Sequence, residues 1–232
     1  MQIVVLGASG PTGRQLVDQA LAAGHQVTAV SRRPQGLPLR EGLTVVPADA
    51  TDPAAVDAVV AGSDAVLSAL GTTFSRAPVT LYSQAARAVT GAMARHGVRR
   101  LVAVSSSVAD PAWRPSGAFL FNHVLDPYVN RVLGRTLHED MRRMEEVIRS
   151  AEDVDWTIAR PSGLFTTLAP TGYLLAEDSA DGLFTSRADL AAAMLAQLAD
   201  DRFVRRAMGV ATTEVKPGIL GLLWREGVRR QR

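Results

Sequence analysis

The sequence predicts an α/β protein built on a doubly wound, parallel β-sheet. Short runs of β-branched residues alternate with amphipathic helical patterns through the first two-thirds of the 232 residues. The runs are apolar almost throughout, which is typical of strands that helices cover on both faces. Strand and helix repeating in this order define the doubly wound architecture.

Each element corresponds to a definite segment. The six predicted strands are Ile3–Leu6, Gln26–Val30, Leu43–Val46, Ala65–Ser68, Leu101–Ser105 and Val154–Ala159. The helices that lie between most of them are Thr12–Ala23, Pro53–Val60, Leu81–His96 and Arg135–Ser150. Gly24 and Gly97 follow two of these helices, where a left-handed residue is a common ending. A further helical pattern, TSRADLAAAMLAQLA, begins at Ser186 or Asp189, since either side chain can cap a helix.

The composition excludes several kinds of chemistry. The chain has no cysteine, so disulfides, thiolate catalysis and cysteine-ligated metals are ruled out. A formal net charge of +2 predicts no nucleic-acid partner, and the C-terminal arginines (Arg225, Arg229, Arg230, Arg232) indicate a solvated tail. No spacing of histidines and carboxylates indicates a metal site. With no leader or long apolar stretch in evidence, we expect one domain over residues 1–232, no membrane partner and a cytoplasmic location.

Three glycines stand between the first strand and the first helix, in IVVLGASGPTGRQL. In a doubly wound sheet this turn lies at a ligand crevice. Gly7 would permit the tight turn, Gly10 would let the backbone approach a pyrophosphate, and Gly13 would let helix and strand pack closely. The N–H groups at the helix start would then receive the phosphates. A purely structural glycine turn is the alternative, but the position in a βαβ unit favours dinucleotide binding.

The end of the second strand indicates which dinucleotide binds. A carboxylate there would bind the ribose 2′-hydroxyl of NAD, whereas arginine suits the 2′-phosphate of NADP. The sequence reads VTAVSRRP, with Ser31, Arg32 and Arg33 and no acidic residue. Two solvated arginines are the alternative in a chain whose only lysine is Lys216. The planar guanidinium matches phosphate oxygens, and we therefore expect NADPH.

Six segments carry a likeness to a known family, in order and spacing over roughly residues 1–200: GASGPTGR, GHQVTAVSRRP, VVPADATD, GSDAVLSALGTT, AMARHGVRRLVAVSSS and DVDWTIARPSGL. They resemble the atypical short-chain dehydrogenase/reductases, and among these the NAD(P)H-binding, NmrA-like proteins and the flavin/biliverdin reductases. We expect one Rossmann-like domain with a small C-terminal substrate-side region. Residues 109–132, whose irregular length and aromatic content suggest a loop or short helices over a pocket, and roughly 160–186 are expected to contribute the substrate pocket.

The same resemblance implies a set of cofactor contacts. Asp49 and Ala50 would flank the adenine, and Leu70, Gly71 and Thr72 would line the middle of the cofactor. Ser105, Ser106, Pro161 and Ser162 would approach the nicotinamide. The glycine turn would contribute Gly7, Ser9, Gly10, Pro11, Thr12 and Gly13.

The proton-donating pair of the wider superfamily, Tyr-x-x-x-Lys, is missing. Neither Tyr82, Tyr128 nor Tyr173 has a lysine four residues on, and Leu137 and Met141 stand where the pair would fall. Arginine cannot replace the lysine because it does not lose its proton in proteins. Ordinary carbonyl reduction and sugar epimerisation are therefore disfavoured. Conjugated acceptors such as quinones, flavins and linear tetrapyrroles remain, because they spread the incoming charge over a conjugated system.

One departure from the flavin/biliverdin-type relatives bears on the acceptor. Those reductases have a histidine after the proline, where this chain has Ser162. A linear tetrapyrrole is therefore a weaker candidate than a quinone or a flavin.

Several other side chains have two interpretations each. Ser106 could donate a hydrogen bond to an acceptor oxygen or satisfy the local backbone. His123 and His138 could supply a proton, but His138 is more simply a surface residue, and His123 fits a pocket or a core equally well. Asp49 and Asp52 are better explained as caps and cofactor contacts than as a catalytic pair. The aromatic residues could form a wall for a flat substrate or fill a core: Trp113, Phe119, Phe121 and Tyr128.

Taken together, the motifs predict an NADPH-dependent reductase that transfers hydride to a quinone, including a polycyclic quinone, or to a flavin. The substrate would be a small aromatic molecule, and Ser106 and His123 are the candidate catalytic residues. A non-catalytic NADP(H) sensor like NmrA is the alternative, because it too needs no proton-donating pair. An NADPH-dependent carbonyl reductase with His123 as its acid is a weaker alternative.

Overall fold

The protein folds as the sequence predicts, around one large sheet with helices on both faces. The structure, a computed structural model, describes residues 1–34, 36–37, 40–73, 77–116 and 134–215. The strands are β1 (Gln2–Leu6), β2 (Gln26–Ser31), β3 (Leu43–Pro47), β4 (Ala65–Ser68), β5 (Arg100–Val104), β6 (Asp155–Pro161), β7 (Gly163–Phe165), β8 (Tyr173–Glu177), β9 (Phe184–Ser186) and β10 (Arg206–Thr212). The helices are α1 (Pro11–Ala22), α2 (Pro53–Val60), α3 (Leu81–His96), α4 (Arg135–Arg149) and α5 (Arg187–Ala196), with a short 3₁₀ turn at Ser107–Ala109.

The strand order in the large sheet is β3-β2-β1-β4-β5-β6-β10-β8. All neighbours are parallel except β8, which runs antiparallel to β10 along the outer edge. Strands β7 and β9 pair in parallel as a separate two-stranded sheet. The predicted parallel core is therefore confirmed for β1 to β6, whereas β7 to β10 were not predicted from the sequence.

Alternate residues of each strand enter two different cores. Val4 and Leu6 of β1 pack on the side of α2, α3 and α4, and Ile3 and Val5 pack on the side of α1 and α5. All four side chains are at most 1% exposed. This burial on both faces explains why the central strands are apolar throughout instead of alternating with polar residues.

The helix ends follow the predicted chemistry. Gly97 ends α3 with φ of +67°, and Gly24 follows α1 with φ of +79°, so both adopt the left-handed conformation that favours glycine. Of the two predicted starts of α5, Ser186 is the cap, since its hydroxyl accepts the Asp189 N–H at 3.0 Å. The Asp189 carboxylate instead accepts the Thr171 N–H at 2.5 Å.

The topology places a crevice at the carboxyl ends of β1 and β4. From β1 the chain passes to β2 and β3 on one side, and it returns to β4 on the other side of β1. The direction of winding therefore reverses between these two strands, which is where doubly wound sheets bind ligands. The turns that follow β1, β2 and β4 border this crevice.

Candidate functional site

The turn after β1 needs two of its three glycines for the fold itself. Gly7 has φ of +77°, and a Cβ there would lie 2.6 Å from the Ala69 carbonyl oxygen. A Cβ on Gly13 would collide with the carbonyl oxygen of Gly7 and lie 2.8 Å from the Ala8 Cα. Gly7 therefore permits the tight turn and Gly13 the close approach of α1 to that turn, as their positions predict.

Gly10 is different, because the protein fills little of the space beside it. Its φ of −70° is open to any residue, and a Cβ there would meet only the Gly7 carbonyl oxygen, at 3.2 Å. Gly10 is also the N-cap of α1, and no side chain caps that helix. A side chain at position 10 would therefore occupy otherwise open space beside the first turn of α1, and leaving this space open at a helix N-terminus fits a bound phosphate.

Two serines join this turn to the end of β2. The hydroxyls of Ser9 and Ser31 lie 2.6 Å apart, and Ser31 also accepts the Arg33 N–H at 3.2 Å. Ser31 is buried, whereas the side chains of Arg32 and Arg33 are exposed. The end of β2 therefore presents two cations and no carboxylate beside the glycine turn, as VTAVSRRP predicts.

The loop after β3 is ordered by its own acidic residues. Asp49 accepts hydrogen bonds from the Thr51 N–H at 2.9 Å and the Thr51 hydroxyl at 2.8 Å. These two bonds hold the pKa of the Asp49 carboxyl below its usual value, and the nearby charge of Arg32 lowers it further. Asp52 caps α2 by accepting the Ala54 N–H at 3.0 Å. Ala50 is buried. The predicted capping role of Asp52 is confirmed.

The loop after β4 is held by a buried tyrosine that the sequence analysis did not single out. The phenol oxygen of Tyr82 accepts the Thr72 N–H at 3.2 Å. Burial raises the pKa of this phenol, so Tyr82 stays neutral over the physiological range. A Cβ on the adjacent Gly71 would meet nothing within 4 Å. Leu70–Thr72 therefore border open space on one side and a fixed phenol on the other.

Tyr82 is itself positioned from α4. The fully buried carboxylate of Asp140 accepts the Tyr82 N–H at 2.8 Å, the Ser83 hydroxyl at 2.6 Å and the Ser83 N–H at 3.3 Å. The N-cap residue Thr80 makes no side-chain cap bond, so Asp140 caps α3 in its place. In the sequence, Asp140 stands out as an acidic residue on the apolar face of a predicted helix. Its partners Tyr82 and Ser83 could not be predicted, because they are distant along the chain.

A buried polar network ties the end of β5 to α4 and β6. Ser105 donates its hydroxyl to Glu145 at 2.7 Å, and Glu145 also receives two hydrogen bonds from Arg160. Arg160 reaches Asp110 as well, at 3.3 Å, and Asp110 accepts the Ser179 hydroxyl at 2.9 Å. The Ser105 side chain is therefore turned into the protein. That Ser105 approaches the nicotinamide therefore remains a prediction, and only its backbone could make this contact.

The remaining hydroxyls at this edge differ in what they can donate. Thr185 donates to the Val210 carbonyl at 2.6 Å, so the 3.0 Å contact between the Ser162 and Thr185 hydroxyls must use the Ser162 proton. Ser106 accepts the Val108 N–H at 3.3 Å and caps the 3₁₀ turn. Of the three serines predicted to approach the nicotinamide, Ser105 and Ser162 donate to acceptors in the protein, and Ser106 is the one for which the described residues provide no acceptor. It satisfies the backbone and still has a proton to offer.

The structure corrects the interpretation of one histidine. His138 is 5% exposed, so the expected surface position is wrong. The buried residues of α4 recur at helical spacing: Leu137, His138, Asp140, Met141, Met144, Glu145 and Ile148. His138 lies on this face, which packs against α3. Leu137 and Met141, where the superfamily has its proton-donating pair, are core residues on the same face.

Several predicted residues lie outside the described part of the chain, namely His123, Phe119, Phe121, Tyr128, Lys216 and the C-terminal arginines. Of the predicted aromatic wall, Trp113 is described. It is buried, and its indole N–H donates to the Ala180 carbonyl at 3.2 Å, which favours the core interpretation for this residue.

The two segments predicted to form the substrate pocket, 109–132 and roughly 160–186, lie against each other in their described parts. Besides the Trp113 bond, the Ser116 N–H donates to Asp181 at 2.7 Å. The carboxyl end of β6 borders both segments, because Arg160 contacts Asp110, and Ser162, directly after the strand, contacts Thr185. The described parts of 109–132 and 160–186 therefore form one surface at the carboxyl edge of the sheet. That this surface binds substrate stays a prediction.

Two further properties concern other kinds of site. Among the residues the structure describes, no three histidine or carboxylate side chains come together as a metal ion would require. None of the helices in the described ranges combines the length and apolarity that are needed to cross a lipid bilayer.

The glycine turn, the crevice at the β1/β4 switch and the arginines after β2 define a dinucleotide-binding protein of the α/β class. The NAD(P)H-binding family matches residues 7–201, and the chain belongs to that family. The predicted family resemblance is thereby confirmed.

Solved structures share the whole fold. A short-chain dehydrogenase/reductase from Veillonella parvula in complex with NADP superposes with a TM-score of 0.77 at 20% identity, over 94% of this chain and 99% of that chain. The oxidoreductase ylbE from Lactococcus lactis gives 0.73 at 16% identity, over 100% and 98%. A proposed NADH-flavin reductase from Streptococcus pneumoniae gives 0.69 at 19% identity, over 92% and 100%. At these identities the likeness establishes the Rossmann-like fold.

Proposed function

We propose that this protein is an NADPH-dependent reductase of conjugated aromatic acceptors, with quinones and flavins as the substrate classes. One observation carries the proposal: the space beside Gly10 at the first turn of α1 is largely open, and the exposed Arg32 and Arg33 directly follow Ser31, which contacts Ser9 of the same turn. An open cradle for a pyrophosphate next to two guanidinium groups suits a dinucleotide with an additional phosphate on its ribose.

The residues that would hold the cofactor lie on the turns that border the crevice. The α1 N–H groups at Thr12 and Gly13 would receive the pyrophosphate, Asp49 and Ala50 would flank the adenine, and Leu70–Thr72 would line the middle. Bound NADPH supplies the hydride. The remaining chemistry, which is to orient the acceptor and to provide a proton, falls to the protein and to water.

The hydroxyl groups that could donate a proton at the site favour an acceptor that stabilises its own negative charge. Ser105 and Ser162 donate their protons inside the protein, and the buried phenol of Tyr82 is fixed beside Thr72. Ser106 is left to donate a hydrogen bond to an acceptor oxygen. A serine hydroxyl is a weak acid, so it would orient a quinone oxygen while water completes the protonation. A simple ketone would need a stronger acid in the transition state.

Two of the similar structures point the same way. The Veillonella protein was crystallised with NADP, and the Streptococcus protein is named as a proposed NADH-flavin reductase. Both observations support a nicotinamide-dependent redox function for this chain.

The test is a panel of acceptors with the purified protein. We expect NADPH oxidation with simple or polycyclic quinones or with flavin, and turnover with aliphatic ketones slower by about 10²–10⁴-fold. We also expect NADPH to bind at least about tenfold tighter than NADH. Rapid reduction of aliphatic ketones would contradict the proposal, and would point to an acid such as His123. Tight NADPH binding without turnover of any acceptor would instead support the NADP(H) sensor.

A further inference from the structure

We propose that Asp110 is a positioning residue for the proposed reduction, because it fixes the 3₁₀ turn that begins at Ser106 and thereby directs the Ser106 hydroxyl toward the acceptor. The inference deepens the proposed function and rests on it. Asp110 lies at the end of the turn, and neither the glycine motif nor the family resemblance assigns it a role. In this role Asp110 does not touch the acceptor and acts through Ser106.

Ser106 is the middle one of three consecutive serines that follow β5. Ser105 and Ser107 are buried, and their hydroxyls donate to a carboxylate of α4 at 2.7 Å and to a carbonyl oxygen of β6 at 3.0 Å. Ser106 is partly exposed, and its hydroxyl oxygen accepts the Val108 N–H at 3.3 Å. Because that bond uses the oxygen and not the proton, the turn fixes the direction in which Ser106 can donate.

Asp110 ends the turn that Ser106 begins. The Ala109 N–H donates to the Ser106 carbonyl oxygen at 3.0 Å. The Asp110 N–H donates to the Ser107 carbonyl oxygen at 3.1 Å. Oδ1 of Asp110 also accepts the Ala112 N–H at 2.8 Å, so the side chain holds the backbone that leaves the turn. A displaced Asp110 would therefore open the turn at its far end and change the direction of the Ser106 hydroxyl.

The other oxygen of the same carboxylate anchors the turn to two distant segments. Oδ2 accepts a hydrogen bond from Nη1 of Arg160 on β6 at 3.3 Å and from the Ser179 hydroxyl, just after β8, at 2.9 Å. Arg160 is itself held by Glu145 of α4 at 2.6 Å. The Asp110 side chain is 15% exposed, so water competes little for these bonds. The turn that begins at Ser106 and the expected pocket segment that contains Ser179 are therefore held in one arrangement.

An aspartate suits this position because its two oxygens accept three hydrogen bonds. Asparagine has nearly the same size but one acceptor oxygen, and its NH₂ group would face donors in either orientation. Asp110→Asn must therefore give up either the bond from the Ala112 N–H or the bonds from Arg160 and Ser179. The variant loosens the turn without creating a cavity, which makes it a direct test of the role.

The experiment measures NADPH oxidation by the purified full chain with menadione, a quinone, as the acceptor. Ser106→Ala and Asp110→Asn are each expected to lower kcat/KM for menadione by about fivefold, which is the effect of one hydrogen bond. The double variant is expected to lose about fivefold as well, because a hydroxyl that is absent cannot be misdirected. Independent effects would multiply to about 25-fold.

Two further variants make the comparison specific. Ser179→Ala removes one of the two donors to Oδ2, and we expect a loss of about twofold that disappears when Ser106→Ala is already present. Asp64→Asn is the matched control, because Asp64 accepts the Gln2 N–H at 2.7 Å at the opposite edge of the sheet, and its kcat/KM should equal that of the wild type. Calorimetry should give an NADPH dissociation constant within about twofold of the wild-type value for every variant. Circular dichroism confirms that each variant is folded.

The possible results separate this inference from the proposed function. Wild-type protein that binds NADPH but reduces neither quinones nor flavin would contradict the proposed function and the inference together. If the wild-type protein reduces menadione, an unchanged rate in Ser106→Ala or in Asp110→Asn would overturn the inference alone. A double variant weakened by about 25-fold would also overturn it, because Asp110 would then act independently of Ser106. If Asp110→Asn does not fold, a Ser179→Ala loss that is equal with and without the Ser106 hydroxyl has the same effect.

Discussion

Glu145 on α4 and Arg160 on β6 form a buried ion pair that is made of two hydrogen bonds. Nη2 and Nε of Arg160 donate to the carboxylate at 2.6 and 3.1 Å, and the side chains are 9% and 6% exposed for Arg160 and Glu145. Because Ser105 donates to the same carboxylate, the pair joins the carboxyl ends of β5 and β6 to α4. The floor of the candidate site depends on this pair.

Removing the charge of Glu145 should therefore destabilise the protein strongly. In Glu145→Gln, Arg160 keeps its buried charge with Asp110 at 3.3 Å and the exposed Asp178 at 3.9 Å as its remaining carboxylate partners. We expect a loss of about 3 kcal/mol in the free energy of unfolding. Urea denaturation followed by circular dichroism measures the loss. Glu139→Gln is the control on the same helix, since it breaks only surface pairs, with Arg135 at 2.8 Å and with Arg143 at 4.0 Å. Its stability should stay close to that of the wild type. A Glu145→Gln variant as stable as this control would show that the network contributes little.

Tyr82→Phe should weaken cofactor binding without unfolding the protein. The change leaves the ring in the core but removes the oxygen that accepts the Thr72 N–H. One lost hydrogen bond of about 1 kcal/mol corresponds to an increase of about fivefold in the dissociation constant. Because Thr72 lies at the middle of the cofactor site, NADPH and NADH should be affected equally.

Tyr173→Phe provides the control for that measurement, since this half-buried tyrosine lies on β8 at the far edge of the sheet. Its effect on dinucleotide binding should be negligible. Unchanged affinity in Tyr82→Phe would mean that the Leu70–Thr72 loop does not depend on the phenol.

Gly10→Val should abolish dinucleotide binding in a protein that still folds. The new side chain would occupy the open space beside the first turn of α1, while its Cβ meets only one protein atom closely. Calorimetry with NADPH measures the loss, circular dichroism confirms the fold, and quinone reduction should disappear with binding. Gly91→Ala, inside α3, is the control and should stabilise the protein by about 0.5–1 kcal/mol with full binding. Normal NADPH affinity in folded Gly10→Val would assign the turn another purpose.

The pKa of Asp49 should report the charge at the end of β2. Hydrogen bonds from Thr51 hold this pKa below its usual value, and Arg32 lowers it further. A phosphate that neutralises Arg32 should raise the pKa of Asp49, and Arg32→Ala should raise it as well. Because the pKa is depressed in the folded state, the stabilising contribution of Asp49 is complete above the unfolded pKa of about 3.9 and is lost as the pH falls through the folded value.

Carboxyl-carbon NMR titration of the protein with NADP⁺ and with NAD⁺ measures this shift. Asp57 of α2 serves as the internal control, because its pKa is lowered by Arg95 and His96 in the last turn of α3 and not by Arg32. If the pKa of Asp49 shifts equally with both dinucleotides, the additional phosphate of NADP⁺ does not act on Asp49, and the prediction is wrong.

The features that could be predicted from the sequence are those that a local pattern determines. The bounds of α2, α3 and β4 agree with the prediction at both ends, because the apolar periodicity lies within these segments. Asp52 and Gly97 next to them mark the start of α2 and the end of α3. The glycine turn was equally accessible, since Gly7 and Gly13 are required by contacts inside one turn and its neighbours.

What escaped prediction depends on contacts between distant segments. Strand β10 carries Gly209, although glycine is generally unfavourable in strands. Glycine is required there because a Cβ would collide with the backbone N of Ala180. The exposure of His138 depends on which face of α4 packs against α3. The sequence does not determine that face, so the prediction that His138 lies on the surface was wrong. The partners of Asp140 and Glu145 likewise become known only once the helices are packed.

The capping of α3 by Asp140 has a consequence for synthesis on the ribosome. The acceptor carboxylate lies 58 positions after Tyr82, so β1 to β4, the glycine turn and all of α3 are translated well before it. Until α4 docks, the start of α3 lacks its cap, and the phenol that steadies Thr72 has no fixed place. We therefore expect a nascent chain that already holds every glycine of the turn to bind its dinucleotide poorly until α4 has been translated and has docked against α3.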